Sequence, residues 1–229
     1  MDCKVTLTAN AGVIVNLDGT SILIDALHNT FAAEFSSLSE ERSNQVLTLC
    51  DLTPPTAILI SHAHPDHYSA SLIDEATLRY PDACVIFPER DFSGKTSMWK
   101  LGNITVTSVP LLHRRAPEYP PADNFSFIIR HDNKTLFFPG DAEPTSDEMK
   151  VLVSTFHPDV AFLPFIWATL PSCRNVLAAL NPKNAVLLHL PFPELDTFGY
   201  NKATIQARDR FIPDAVILSS FLQSAEFNI

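Results

Sequence analysis

The sequence predicts an α/β fold in which two similar halves pack sheet to sheet, with helices on the outer faces. Two runs of strand-like segments are each followed by helix-like segments, and this repetition indicates the two halves. The 229 residues are 46% hydrophobic and 18% charged, as in a globular protein with a substantial core. No linker rich in glycine, serine or charge interrupts the chain, so we expect one domain over residues 1–229.

The first half opens with strands and continues with helices. Alternating apolar residues predict three strands, VTLTA, GVIVNL and SILIDA, and Asp18-Gly19 between the last two is a hairpin signal. A polar, helix-compatible region at 31–52 precedes TAILIS, a continuous apolar run typical of a strand buried on both faces. A helix over 70–79 and a strand CVIFP complete this half.

The second half begins with a strand, ITVTSVPLL, and a hairpin, FSFIIRHDNKTLFFPGD, which turns at Asp132-Asn133. Thr145 to Glu148 then fits a capping box that opens a helix. The remaining segments alternate between strand and helix in the order VAFLPF, SCRNVLAAL, NAVLLHL, NKATIQARDRF and AVILSS.

Charge and cysteine usage exclude several classes of partner and site. A formal net charge of −10 repels phosphate backbones and anionic lipid, so we expect neither a nucleic-acid nor a membrane partner. No apolar run is long enough to span a bilayer and the amino terminus alternates like a strand, so we expect a cytoplasmic protein. The four cysteines are scattered, which favours buried thiols over a zinc ribbon or disulfides.

The segment SHAHPDH carries the strongest chemical signal, since it places His62, His64, Asp66 and His67 directly after the buried strand TAILIS. Imidazole and carboxylate groups suit Zn²⁺ and similar divalent ions. Pro65 favours an extended backbone at the preceding histidine, which helps neighbouring side chains point to different sites. Exposed loop histidines are the alternative, but three with a carboxylate at this spacing favour a metal site.

Three further donors stand at strand ends: His113 after VTSVPLL, Asp141 after FFPG and His189 after AVLL. Each has an ordinary alternative, namely a core histidine, a helix N-cap and a surface histidine, respectively. Sites in α/β folds are built at such strand edges, so the joint placement favours metal ligands. His28, His131 and His157 are expected at the surface.

In order along the chain, ILISHAHPDH, LLH, FFPGDAE and NPKNAVLLHLPF resemble the metallo-β-lactamase superfamily, in its compact branch of lactonase-like and phospholipase-like metal-dependent hydrolases. GVIVNLDGTSILIDAL is similar to the opening strands of that branch. The resemblance implies a four-layer αβ/βα sandwich with a binuclear metal centre at one edge. It implies that one metal is held by His62, His64 and His113, the other by Asp66, His67 and His189, with Asp141 bridging.

The chain departs from the superfamily in places that concern the substrate. Residues 9–12 read Ala-Asn-Ala-Gly where many relatives carry a histidine, and residues 166–168 read Ile-Trp-Ala in place of a glycine-rich loop. Flavin-linked di-iron relatives carry a glutamate at the position of His64, so the imidazole favours two Zn²⁺ ions in a hydrolase, with Mn or Fe left open.

We expect a metal-bridging hydroxide to attack a small ester, lactone, amide or phosphodiester, because a bound divalent ion lowers the pKa of its water. Asp66 is the predicted catalytic residue, accepting a hydrogen bond from this nucleophile and passing a proton to the leaving group. The alternatives are an iron-dependent oxidoreductase of the sulfur dioxygenase type and a non-catalytic metal-binding member.

Four more residues are expected around the metals. Asp25, at the end of SILID, is the candidate hydrogen-bond partner of a metal-bound imidazole, although a simple turn residue is nearly as good an interpretation. Arg114 and Arg115 follow His113 and could clamp a carboxylate or phosphate of a small-molecule substrate. Trp167 is a candidate wall of the pocket.

Overall fold

The computed structural model describes residues 2–30, 35–91, 93–115 and 122–229. Its strands are β1 (Asp2–Ala9), β2 (Gly12–Leu17), β3 (Thr20–Ile24), β4 (Pro55–Leu59), β5 (Cys84–Ile86), β6 (Ser97–Leu101), β7 (Ile104–Leu112), β8 (Asp123–His131), β9 (Lys134–Phe138), β10 (Val160–Pro164), β11 (Asn184–Leu188), β12 (Val216–Ile217) and β13 (Ser224–Asn228). Its α-helices are α1 (Glu40–Leu52), α2 (Ala70–Arg79), α3 (Pro88–Asp91), α4 (Asp147–Thr155), α5 (Ile166–Thr169), α6 (Arg174–Leu180) and α7 (Tyr200–Phe211).

The strands form two sheets. The first sheet has the order β13-β1-β2-β3-β4-β5, and the second has the order β12-β11-β10-β9-β8-β7-β6. In the first sheet β3, β4 and β5 are parallel, while β1, β2 and β13 are antiparallel to their neighbours. In the second sheet β9 to β12 are parallel, and β6 to β9 pair antiparallel.

The two sheets pack on a shared hydrophobic core, and helices cover both outer faces. Along β8, Phe127 and Ile129 belong to the core cluster shared with the first sheet, whereas Ile128 belongs to the cluster under the outer helices. This alternation is the period of two that a strand buried on both faces requires. Helices α1 and α2 contribute to the first cluster, and α4, α6 and α7 contribute to the second. The predicted four-layer sandwich is therefore confirmed.

Two strands were missed by the sequence, and both lie at sheet edges. In β6 and β13 half-buried residues alternate with exposed ones, and neither strand has a buried residue. An edge strand buries little apolar surface, so its sequence shows only a weak pattern. AVILSS forms only the two-residue strand β12.

The helix after Asp141 begins differently from the prediction. The N-cap of α4 is Ser146, whose Oγ accepts a hydrogen bond from the amide of Met149 at 3.1 Å. Thr145 instead donates from its hydroxyl and its amide to Glu143. The predicted capping box at Thr145 is therefore wrong, because the hydroxyl of Thr145 bonds to the carboxylate of Glu143 and does not cap the helix. No α-helix in the described part of the chain is long and apolar enough to cross a bilayer.

One edge of the sandwich collects the carboxyl ends of several strands. β7, β9 and β11 run in the same direction in the second sheet, so the residues that follow them lie at the same edge. β3 and β4 likewise end together in the first sheet. The amide of Phe125 donates to the carbonyl of Ser61 at 2.8 Å, and the amide of His189 donates to that of Asn10 at 3.0 Å. These two hydrogen bonds join the sheets at this edge.

Candidate metal centre

The seven predicted donors gather at this edge in two adjacent groups. The first group consists of His62, His64 and His113. Each of these residues offers one ring nitrogen, and the three nitrogens lie within 4.8 Å of one another. The rings of His62 and His113 have centroids 4.6 Å apart, as do those of His64 and His113. Two imidazoles from the loop after β4 and one from the residue that follows β7 therefore face a common point.

The second group contains Asp66, His67 and His189, whose ligand atoms also lie within 4.8 Å of one another. The Nε2 atoms of His67 and His189 are 3.0 Å apart, although 122 residues separate them in the sequence. Asp141 lies against both, with carboxylate oxygens 3.7 Å from Nε2 of His67 and 3.3 Å from Nε2 of His189.

His62 joins the two groups. Its ring centroid is 4.7 Å from that of His64 in the first group and 4.0 Å from that of His67 in the second. All three rings are buried, with at most 5% exposure. Two divalent ions at neighbouring points are therefore geometrically compatible with this set of donors, as dinuclear hydrolytic sites require.

Hydrogen bonds behind the first group fix which nitrogen of each imidazole is free. The Ser61 hydroxyl donates to Oδ2 of Asp25 at 2.6 Å and therefore accepts from Nδ1 of His62 at 2.9 Å. Nδ1 of His113 donates to the carbonyl of Arg114. In both rings the lone pair is then on Nε2, which is the nitrogen that faces the cluster.

Asp25 holds the second group in the same way. Its Oδ2 accepts from Nδ1 of His67 at 2.8 Å, and its Oδ1 accepts from the amide of Ser61 at 2.7 Å. The side chains of Asp25 and His67 are fully buried. Asp25 thus contacts the imidazole of His67, and one of its oxygens also lies within 4.8 Å of a ring nitrogen of His62.

The free atoms of the site fit a bound cation. Nε2 of His62, Nε2 of His113 and Oδ1 of Asp141 are buried and have no hydrogen-bond partner among the described residues. Buried polar atoms without a partner are costly, so their convergence calls for a ligand. Two imidazole nitrogens at 3.0 Å, as in His67 and His189, also repel one another unless a proton or a cation lies beside them.

Electrostatics in the cluster favour the metal-binding protonation states. Burial lowers the pKa of His62 well below its usual range, and it also lowers the pKa of His113, so both imidazoles are neutral at pH 7. Burial opposes ionisation of Asp141, but His189 and His67 hold the pKa of its carboxyl well below the usual value.

His67 behaves in the opposite way. Burial lowers its pKa, but the surrounding carboxylates, Asp66 first, raise the pKa to about 10. These carboxylates therefore stabilise a positive charge at Nε2 of His67. A divalent ion would supply that charge and displace the proton.

Sequence reasoning missed Asn10 as a member of the site. Its Nδ2 donates to Oδ2 and to the carbonyl of Asp66, both at 3.1 Å, and its own carbonyl accepts from the amide of His189. Asn10 is fully buried and lies in the turn between β1 and β2 at φ +50°. One signal could have indicated this role: Asn10 lies in the segment where many relatives carry a histidine.

Gly140 and Asn124 place Asp141. Oδ1 of Asn124 accepts from the amide of Asp141 at 3.1 Å, and its Nδ2 donates to the carbonyl of Pro139 at 3.1 Å. A Cβ on Gly140 would lie 2.4 Å from Oδ1 of Asn124 and 2.7 Å from Cβ of Ser61, at φ +58°. Only glycine fits this approach of the two sheets.

The three residues predicted to contact the substrate differ in their burial. Trp167 is 0% exposed and packs in the core cluster beneath α4 to α7, so it does not wall a pocket, and that prediction is wrong. The apolar ring is better buried against the sheet than left in water. Arg114 is half-buried and Arg115 exposed, both directly beside the donors.

Two histidines expected at the surface are buried. Nε2 of His28 donates to the carbonyl of Ala9 at 3.2 Å, and burial lowers the pKa of its imidazole to about 4. His131 bonds through Nε2 with Nδ2 of Asn103 at 2.9 Å. Hydrogen bonds to residues distant in sequence allow both rings to be buried, whereas His157 is exposed as expected.

Comparison with known proteins shows the family and the structures to which this chain is similar. A sequence profile described as Beta-lactamase superfamily domain matches residues 4–189, a range that includes all seven donors. A metal-dependent hydrolase from Methanoregula boonei is 29% identical over 126 residues, 49% of this chain and 54% of that relative. The chain thus spans about half the length of the curated relative it matches.

Two solved structures are similar over almost their full lengths. Igni18, a metallo hydrolase from Ignicoccus hospitalis, has a TM-score of 0.67 at 20% identity, with 100% of both chains covered. The metallo-β-lactamase fold protein YhfI from Bacillus subtilis has a TM-score of 0.68 at 14% identity, with 99% of both chains covered. At these identities the likeness shows the fold.

Proposed function

This chain belongs to the β-lactamase superfamily, and we propose that it is a hydrolase that uses two divalent metal ions, Zn²⁺ in the first instance. One observation carries the proposal: the two donor groups adjoin through His62, and Nε2 of His62 and Nε2 of His113 are buried without a hydrogen-bond partner among the described residues. The similarity to a metal-dependent hydrolase from Methanoregula boonei supports it.

The donors divide into two sets. His62, His64 and His113 would hold one ion, and Asp66, His67 and His189 the other, with Asp141 beside the second set. When bound, such a pair supplies a water of lowered pKa and positive charge for a carbonyl or phosphoryl oxygen. The substrate class we propose is a small ester, lactone, amide or phosphodiester.

Asp66 is the proposed proton-transfer residue. Its Oδ2 accepts from Nδ2 of Asn10 at 3.1 Å and lies 3.5 Å from Nε2 of His189. The amide of Asn10 therefore fixes the orientation of the carboxylate, and an ionised carboxylate in that position can accept a proton and pass it to a leaving group.

The proposal is tested first by metal content and activity. Purified protein is analysed for zinc, manganese and iron, and an ester, lactone and phosphodiester panel is run before and after chelation. We expect two metal equivalents per chain, hydrolysis of at least one class, and loss of that activity on chelation with recovery on adding Zn²⁺. One iron without zinc, or turnover that survives complete metal removal, would contradict it.

The role of Asp66 is tested by Asp66→Asn. We expect kcat to fall by about 100-fold or more, which is the usual contribution of a placed acid or base, with a smaller loss of metal. Asp132→Asn is the matched control, since Asp132 is an exposed carboxylate in the turn between β8 and β9. Unchanged turnover in Asp66→Asn would refute the assignment.

A further inference from the structure

Two arginines border a cavity that opens beside the metal donors. Arg114 and Arg115 follow His113, and the three line a cavity of about 390 Å³ together with Glu143, Ser172 and Cys173. His113 therefore belongs both to the donor cluster and to the wall of this cavity. A small molecule in the cavity would therefore contact His113, one of the seven candidate donors.

The backbone fixes Arg114 against the donors. Its amide donates to the carbonyl of Asp141 at 2.8 Å, and its carbonyl accepts from Nδ1 of His113. His113 also forms a β-bridge with Ala142. The position of Arg114 is thus tied through its main chain to two metal-donor residues, and its side chain takes no part in those bonds.

The guanidinium groups of Arg114 and Arg115 have no partner in the described part of the chain, in an ion pair or a hydrogen bond. By contrast, Arg42, Arg79 and Arg90 each pair with a carboxylate. In a chain with 26 acidic and 16 basic residues, these two adjacent guanidinium groups form a local concentration of positive charge.

Among the described residues that line the cavity, Glu143 carries the one carboxylate, and one of its oxygens is engaged elsewhere. Oε1 of Glu143 accepts from the hydroxyl of Thr145 at 2.5 Å and from its amide at 3.0 Å. This oxygen is directed toward the loop before α4, and among the described residues no hydrogen bond or ion pair joins Glu143 to Arg114 or Arg115.

We propose that the substrate carries a carboxylate or phosphate group apart from the bond that is cleaved, and that Arg114 and Arg115 bind this group. A guanidinium presents paired N–H donors that match a carboxylate or phosphate, which makes arginine the side chain suited to such recognition. In a chain of net charge −10, the two cations also provide the local attraction that an anionic substrate needs. This inference rests on the proposed hydrolase function.

The experiment compares two nitrophenyl esters with the zinc-loaded protein, the neutral 4-nitrophenyl acetate and the carboxylated mono-4-nitrophenyl succinate. The double variant Arg114→Met/Arg115→Met is compared with Arg130→Met, which removes an exposed arginine at the far end of β8. We expect the wild type and Arg130→Met to prefer the succinate ester, and the double variant to lose that preference by about tenfold or more, mainly through KM.

Direct binding separates this inference from the proposed function. The affinity of the same zinc-loaded proteins for inorganic phosphate and for succinate is measured by calorimetry, with metal content determined in each. About tenfold weaker binding of either anion to the double variant supports the anion site even if neither ester is hydrolysed. Equal affinity of both anions for the wild type and the double variant overturns it, whatever the esterase result.

Discussion

Replacing Asp25 by asparagine tests whether the metal donors depend on the hydrogen bonds behind them. In the wild type, the buried carboxylate accepts from the amide and hydroxyl of Ser61 and from Nδ1 of His67, at 2.6 to 2.8 Å. Asparagine has nearly the same volume and tolerates the left-handed backbone at this position, φ +49°. The substitution therefore changes charge and hydrogen bonding with little change of shape.

The expected loss follows from the tautomer of His67. If the side-chain oxygen of the asparagine keeps the hydrogen bond from the amide of Ser61, the NH₂ group of the asparagine faces Nδ1 of His67 and must donate a hydrogen bond to it. The ring then carries its proton on Nε2, the atom that would bind the metal. Loss of such an outer partner typically costs 10- to 100-fold in metal affinity, or about 1.4 to 2.8 kcal/mol.

Asp18→Asn is the matched control. Asp18 is an exposed aspartate at φ +43° in the turn between β2 and β3, and its side chain accepts one hydrogen bond, from the amide of Asp2. Zinc affinity is measured by competition with a chromophoric chelator, and metal content by mass spectrometry after dialysis. A folded Asp25→Asn protein that binds zinc as tightly as the wild type and Asp18→Asn would refute the reasoning.

Three further predictions concern stability and reactivity. Gly140→Ala should lower the free energy of unfolding by more than about 2 kcal/mol, because it adds steric clashes to the left-handed backbone cost, whereas Gly102→Ala, at φ +59° with nothing within 4 Å, should lose about 1 kcal/mol. Urea unfolding of both variants measures this, and equal losses would contradict it. Burial raises the pKa of Asp159, but the hydrogen bonds from Lys183 and from a backbone amide lower it. The lowering is the larger effect, so the pKa of Asp159 lies below its usual value. Asp159→Asn should therefore lose about 1 kcal/mol at pH 7, and the difference from wild type should shrink as the pH falls below about 4 toward the lower folded-state pKa; a difference that does not change over this acid range would argue against the linkage. Burial raises the pKa of the Cys3 thiol to about 12, so this thiol should react with a disulfide reagent at pH 8 only after denaturant is added, as peptide mapping would show.

The sequence predicted the parts of the fold and site that depend on local pattern. TAILIS followed by SHAHPDH predicts a buried strand that leads into candidate metal donors, because a continuous apolar run is typical of a strand buried on both faces. His113, Asp141 and His189 could be predicted because each stands at a strand end, and the carboxyl ends of strands running in the same direction meet at one edge.

Only the tertiary structure decided which distant residues meet. The contact of Asn10 with Asp66 spans 56 residues and depends on the order of strands in the first sheet, which apolar periodicity does not encode. The same holds for Trp167, whose sequence position beside β10 says nothing of whether its ring faces the pocket or the helices. Periodicity reports how much of a segment is buried, whereas the identity of the partner is set by how the two sheets pack.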